Sequence, residues 1–262
     1  GIRIGNEIDA LRVAESEVFG NTEGASPVTI QVAHQRDREK QLQIANRRVL
    51  LHSSDSRKQF APLAFVEDGS FTLRMRPRFG LTELPQEAAL ALGLLVGLGG
   101  AGKRARRGFG SLQDMDVMPQ NGDALADQTK ATLSDVQAWI STQGAYYNWM
   151  AEMPAYPILV DRHAKVLICR EAIGKDHYHQ AMVDFWDRLR QRKYVENERA
   201  FGYARGGRRA SPLWLHIARS EAGCHLVMTA FRSKPEPLGG MGWHVLQQFL
   251  DECKSAWRGV YA

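Results

Sequence analysis

Between Gly97 and Ser111 neither a helix nor a strand is easily built. Gly97-Leu98-Gly99-Gly100-Ala101-Gly102-Lys103-Arg104-Ala105-Arg106-Arg107-Gly108-Phe109-Gly110-Ser111 packs six glycines, four cations and one aromatic into fifteen residues. Glycine at that density weakens regular elements and lets a ligand come close to the main chain, while the cations favour a negatively charged one. Whatever folds on either side is organised around a cationic loop, and a phosphate cradle is its first reading.

Two nucleotide fingerprints match the text of this loop and fail on context. Gly97, Gly99 and Gly102 fit G-x-G-x-x-G, but a dinucleotide loop opens a helix that holds the pyrophosphate. Here Lys103 to Gly110 follows, with glycines and no apolar stripe. Gly97, Gly102 and Lys103 nearly spell a P-loop, yet Arg104 stands where Ser or Thr would ligate magnesium. What remains is a helix ending in a flexible cationic loop that leads into a strand. Lys103, Arg104, Arg106 and Arg107 suit successive phosphates of a long polyanion, and Phe109 suits stacking on a base. The alternative is a plain surface loop with Phe109 tucked into the core.

The flanking sequence reads as mixed α and β. Helical spacing covers Glu7 to Val18, strands are predicted over Val28–Val32, Val49–His52 and Phe60–Val66, and Gln35 to Lys40 reads as a charged loop or solvated face. Asp68-Gly69 signals a turn before Phe71 to Arg76, whose alternation puts Arg74 and Arg76 on one cationic face. Thr82 and Pro85 open a helix through Leu95 that is apolar on every side and is expected to be buried. Ser111 to Met118 alternates like a strand, and Pro119 to Asp123 carries boundary signals. Asp135 to Ile140 reads as part of a short helix, and Ile158–Val160 and Lys165–Cys169 as short strands. Asp176 to Arg192 is an amphipathic helix with arginines toward its C-terminal end, Ser211–Ala218 and His225–Phe231 are paired strands, and Trp243 to Trp257 is a final helix. Strand, helix, strand, strand, helix describes most of a ferredoxin-like unit.

Charge and cysteine content narrow the class. The net charge is only +5, but the arginines are clumped, which places nucleic acid first among partners. Three cysteines lie far apart without a CxxC pair, fitting neither a disulfide framework nor a zinc knuckle and agreeing with a reducing cytoplasm. The longest apolar run, Ala88 to Leu98, falls short of the roughly 20 residues a membrane span needs, so no membrane partner is expected. His177 and His179 are two apart at the start of a helix, a spacing that puts them on different faces rather than in a metal pair. No metal, cofactor or catalytic residue is assigned. A second basic cluster, Arg199, Arg205, Arg208 and Arg209, is interleaved with Phe201, Gly202, Tyr203, Gly206 and Gly207, and reads as a further RNA contact or a solvated hairpin.

Three segments resemble one family. "LGLLVGLGGAGKRARRGFGSL" is similar to the glycine-rich loop of the RAMP superfamily of CRISPR effector proteins, with its preceding helix and following strand. "AESEVFGNTEGASPVTI" resembles the upstream segment these proteins carry, and "RRASPLWLHI" resembles a segment in the second half of the large, first-numbered RAMP subunit of the type III-B (Cmr) effector. Members of this subunit family begin with a strand and a helix, and neither precedes Gly1; the expectation is a first domain lacking both, or another chain supplying them. The resemblance implies two ferredoxin-like α+β domains, divided as 1–120 with the loop, a helical linker 121–154, and 155–262. It further implies a cytoplasmic, non-catalytic subunit that contacts guide (crRNA) and target RNA, near the guide's 3′ side, among other RAMP subunits. The expected RNA contacts are Gly99, Gly100, Gly102, Lys103, Arg104, Arg106, Arg107, Gly108, Phe109 and Gly110, supported by Arg74, Arg76, Arg205, Arg208 and Arg209. Related RAMP proteins include metal-independent endoribonucleases that process guide precursors with a histidine. That activity is the alternative, with His34 and His52 as residues able to approach RNA; a purely structural subunit is the third reading.

Overall fold

The alternation in Leu213–Ser220 and Gly223–Phe231 builds the centre of the molecule. In the computed structural model, which describes residues 16, 20–22, 24–42, 63–78, 80–102, 105–142, 157, 159–174, 176–195, 199–202, 210–233 and 241–261, these two segments pair antiparallel from Leu213↔Ala230 to Ser220↔Gly223. Numbered along the chain, the strands are β1 (Val28–Leu42), β2 (Leu63–Pro77), β3 (Ala164–Cys169), β4 (Leu213–Ser220), β5 (Gly223–Phe231) and β6 (Trp257–Tyr261). Among the described residues the helices are α1 (Gln86–Gly97), α2 (Gly122–Thr142), α3 (Tyr178–Val195) and α4 (Met241–Cys253), with a 3₁₀ turn at Arg199–Phe201. β3 pairs antiparallel with β5 on one side and β6 on the other, giving the sheet order β4-β5-β3-β6. Chain order β3-α3-β4-β5-α4-β6 with that sheet order is the ferredoxin-like arrangement.

Both faces of this sheet are covered. On one face Leu167, Leu213, Leu215, Leu226, Met228 and Ala230 pack against Met182, Trp186 and Leu189 of α3, Phe201, and Leu246, Phe249 and Leu250 of α4. Edge-to-face rings consolidate it, with Phe201 and Phe249 centroids 5.4 Å apart and Phe185 and Trp186 5.3 Å apart. On the other face Val166, Ile168, Ala218 and Val227 meet Leu125, Ala126 and Leu133 of α2 and Leu94 and Leu98 at the end of α1. Every residue of β5 is buried as a result. Asn121 caps α2, its Oδ1 accepting from the amides of Asp123 and Ala124 at 3.0 Å. The open sheet face on which RNA-recognition modules stack bases is thus occupied here by α2.

β1 and β2 form a separate two-stranded ribbon running from Val28↔Pro77 to Leu42↔Leu63. The predicted turn at Asp68-Gly69 is instead strand, and so is 35–40, read from the sequence as a charged loop or solvated face. Asp68 and Gly69 lie where the register shifts between the pairs Arg38↔Glu67 and Arg36↔Ser70, so the glycine marks a bulge in a continuous strand. Other expectations are corrected in the same way. α1 is capped by Pro85 without a side-chain bond, leaving Thr82 outside it, and most of it is half-buried, with Leu95 40% exposed. No strand forms over Ser111 to Met118, and α2 is 21 residues long rather than short. Val160 accepts from the His163 amide in a turn, not a strand. Trp257 opens β6 instead of closing the last helix. The predicted helix over Glu7–Val18, apart from Ser16, and the predicted strand over Val49–His52 lie outside the described residues.

Candidate nucleic-acid interface

α1 runs out into glycine, and the chain then folds back on itself. The amides of Leu98 and Gly99 still bond the Leu94 carbonyl at 2.9 and 3.1 Å. Two residues later the Ala101 amide donates to the Gly110 carbonyl at 2.9 Å, closing the base of a loop whose far side is Ala105 to Phe109. Two glycines are required by this geometry. Gly110 has φ +65°, and a Cβ there would lie 1.8 Å from the Ala101 carbonyl oxygen; Gly108 has φ +88°, and a Cβ would lie 2.9 Å from the Met182 sulfur.

The returning arm lies along the outer edge of β4, and the chemistry that holds it is unusual. Three outward-facing amides of that edge find three different acceptors: Leu215 bonds the Arg106 carbonyl at 3.0 Å, Ile217 bonds Ser111 Oγ at 2.9 Å, and Arg219 bonds Gln113 Oε1. Gln113 Nε2 returns a bond to the Arg219 carbonyl at 2.7 Å, and Ser111 Oγ donates to the Gly108 carbonyl at 3.0 Å. Ser111 and Gln113 side chains therefore stand in for a neighbouring strand, satisfying an edge that would otherwise expose its donors. The arm thus follows β4 without a strand there, and Met115 and Val117 are exposed.

From β4 and α3 come three further anchors. His216, on the sheet face toward α1, places Nδ1 2.7 Å from the Gly99 carbonyl. A carbonyl can only accept, so Nδ1 carries the proton, and burial pushes the imidazole pKa down to about 4 against the opposing effect of that bond. The Trp186 indole N–H donates to the Arg107 carbonyl at 3.1 Å. The guanidinium carbons of Arg106 and Arg107 lie 5.9 Å and 5.7 Å from the ring centroids of Trp214 and Trp186. The loop is pinned to the sheet through these contacts rather than hanging from it.

Among the expected contact residues, the structure brings together Gly99, Gly100, Gly102, Arg106, Arg107, Gly108, Phe109 and Gly110. Arg106, Gly102 and Gly110 are exposed, Gly99, Gly100, Arg107 and Phe109 are half-buried, and Gly108 is buried. Phe109 packs against the core cluster of α3 and α4. Arg74 and Arg76 are exposed on the ribbon, opposite Gln31 and Thr29. Lys103, Arg104, Arg205, Arg208 and Arg209 lie outside the described residues. The anchors Trp186, Trp214, His216, Ser111 and Gln113 were not singled out from the sequence; the one local signal was that Trp214 and His216 share a face of an alternating strand.

Two of the described histidines, His216 and His225, are committed to structure. His225 reaches Ser220 Oγ at 3.0 Å and the Cys169 carbonyl at 2.9 Å, and His216 is locked to Gly99. His34 is described only as backbone in β1, and His52 lies outside the described residues. Among the described residues, no three His, Cys, Asp or Glu side chains are grouped to hold a metal ion, and no helix is long and apolar enough to cross a membrane.

Residues 3–113, which include the glycine-rich loop, match the family model of the RAMP superfamily. Among solved structures, Cmr1 from Pyrococcus furiosus in its apo form is similar, with a TM-score of 0.61 at 20% sequence identity, covering 88% of this chain and 75% of that one. At that identity the likeness is one of fold, and the fold is Cmr1-like. None of the curated proteins matches the sequence.

Proposed function

We propose that this chain is a non-catalytic RNA-binding subunit of a type III-B CRISPR ribonucleoprotein, assembled with other RAMP subunits and contacting guide RNA, target RNA or both through the glycine-rich loop. The observation that carries the reading is the presentation of Arg106 and Arg107. Each guanidinium lies against an indole, on a loop whose carbonyls are tied to β4 and α3. A guanidinium held over an indole can still donate N–H bonds to a phosphate, while the nearby glycines let the main chain approach the same backbone. Lys103 and Arg104 extend the cationic track in sequence, and Arg205, Arg208, Arg209, Arg74 and Arg76 supply further phosphate contacts. The Cmr1-like fold and the RAMP family match support the assembly context.

We read residues 1–120 as delivering the loop, 121–154 as a helical linker whose helix also packs on the sheet, and 155–262 as the ferredoxin-like unit that carries the loop on the edge of β4. The direct test is co-purification of the tagged chain with its neighbours, followed by sequencing of bound RNA. Recovery of guide-length RNA with repeat-derived sequence is expected. A complex that assembles without RNA on this chain, or cleavage of repeat RNA in EDTA that one histidine substitution abolishes, would overturn the reading.

A further inference from the structure

Arg106 is held at two points by consecutive residues of β4. Its carbonyl accepts from the Leu215 amide at 3.0 Å, and its guanidinium lies 5.9 Å from the ring of Trp214. Trp214 is itself fixed, since its ring meets buried Phe231 edge-on at 5.0 Å and an interplanar angle of 63°. Main chain and side chain of one loop arginine are thus referred to the same rigid strand. Arg106 is exposed and, among the described residues, makes no ion pair.

We propose that Trp214 is a positioning residue for RNA: its indole holds the Arg106 guanidinium in one orientation with the N–H edge outward, so that a phosphate meets a donor already ordered. This rests on the reading of the loop as an RNA contact. A long arginine loses much of its rotamer freedom when it binds, and a side chain already held over a ring has lost part of it beforehand. Arg107 is a less separable case. Its platform, Trp186, is 1% exposed and its indole N–H also bonds the Arg107 carbonyl, so replacing Trp186 would disturb the core and the main chain together. Trp214 is half-buried at the start of an edge strand, and its stacking role can be removed with less damage.

The test is fluorescence anisotropy of a labelled oligouridylate with the full chain, measured across salt concentrations. The variants are Arg106→Ala, Arg106→Lys, Trp214→Phe, Trp214→Leu and Trp214→Leu combined with Arg106→Ala. Exposed cation–π contacts are worth enough to change affinity by about two- to fivefold. Trp214→Leu is expected to weaken binding by that factor, Trp214→Phe to restore most of it, and Trp214→Leu to add no further loss once Arg106 is alanine. Arg106→Lys keeps the charge but loses the forked, delocalised guanidinium held over the ring, without touching the sheet, so it is expected to weaken binding as Trp214→Leu does, even if Trp214→Leu itself fails to fold. A full effect of Trp214→Leu in the Arg106→Ala background would overturn the proposal, as would unchanged binding of Arg106→Lys, while leaving the loop as an RNA contact. Unchanged binding of Arg106→Ala would overturn both.

Discussion

His216 gives the sharpest link between the sheet and the loop, because its protonation state is readable from outside. Its folded pKa of about 4 lies below its ordinary value of 6.5, and burial is the main cause. A base held neutral binds fewer protons folded than unfolded at pH values between those two. The folded state therefore keeps its full advantage above about pH 6.5, loses it as pH falls toward 4, and loses nothing more below that. At about 1.4 kcal/mol per unit, the whole window corresponds to roughly 3 kcal/mol of stability. Urea unfolding at pH 7, 6 and 5, comparing the native chain with His216→Asn, isolates this contribution because the other titrating groups are common to both. At pH 7 the variant is expected to be less stable by about 1–3 kcal/mol, the cost of a weakened or missing partner for the Gly99 carbonyl. As pH falls to 5 the gap is expected to close, since only the native chain has an imidazole to titrate. A gap that stays constant between pH 7 and 5 would refute the reasoning, and so would an NMR titration placing His216 near 6.5.

Two further substitutions test the anchoring of the loop. Gly110→Ala places a methyl at φ +65° against the Ala101 carbonyl, and is expected to open the loop base, seen as faster hydrogen exchange of the Ala101 amide, which bonds the Gly110 carbonyl in the native chain. Ser111→Ala or Gln113→Ala leaves the Ile217 or Arg219 amide without its acceptor. Each is expected to cost about 1–3 kcal/mol in urea unfolding, with a greater tendency to self-associate through the uncovered edge of β4.

The ferredoxin-like unit was legible because its elements obey local periodicities. The alternation of β4 and β5 and the apolar stripe of α3 each follow from which face is buried. β6 escaped notice because Leu250, Cys253 and Trp257 continue the helical spacing of α4 by coincidence, although the helix ends at Cys253. α2 was underestimated because its buried stripe includes small or polar side chains, Ala126 and Thr129, that give a weak apolar signal. The loop's composition was plain in the sequence, but its anchoring was not. Its partners are 117 residues away for Gly99 and His216, 106 for Ser111 and Ile217, and 79 for Arg107 and Trp186, and no local pattern encodes such pairings. A segment that reads as a flexible glycine loop is consequently held along a sheet edge by side chains that read as ordinary core.

The central claim is that the loop arginines neutralise RNA phosphates. It is tested most directly by the salt dependence of oligouridylate binding to the native chain and to Arg106→Ala/Arg107→Ala. Each phosphate contact on a single strand contributes about 0.7 to the slope of log affinity against log salt, so losing two is expected to flatten it by roughly 1.4. Affinity is expected to fall for every RNA sequence alike. An unchanged slope and affinity would contradict the account.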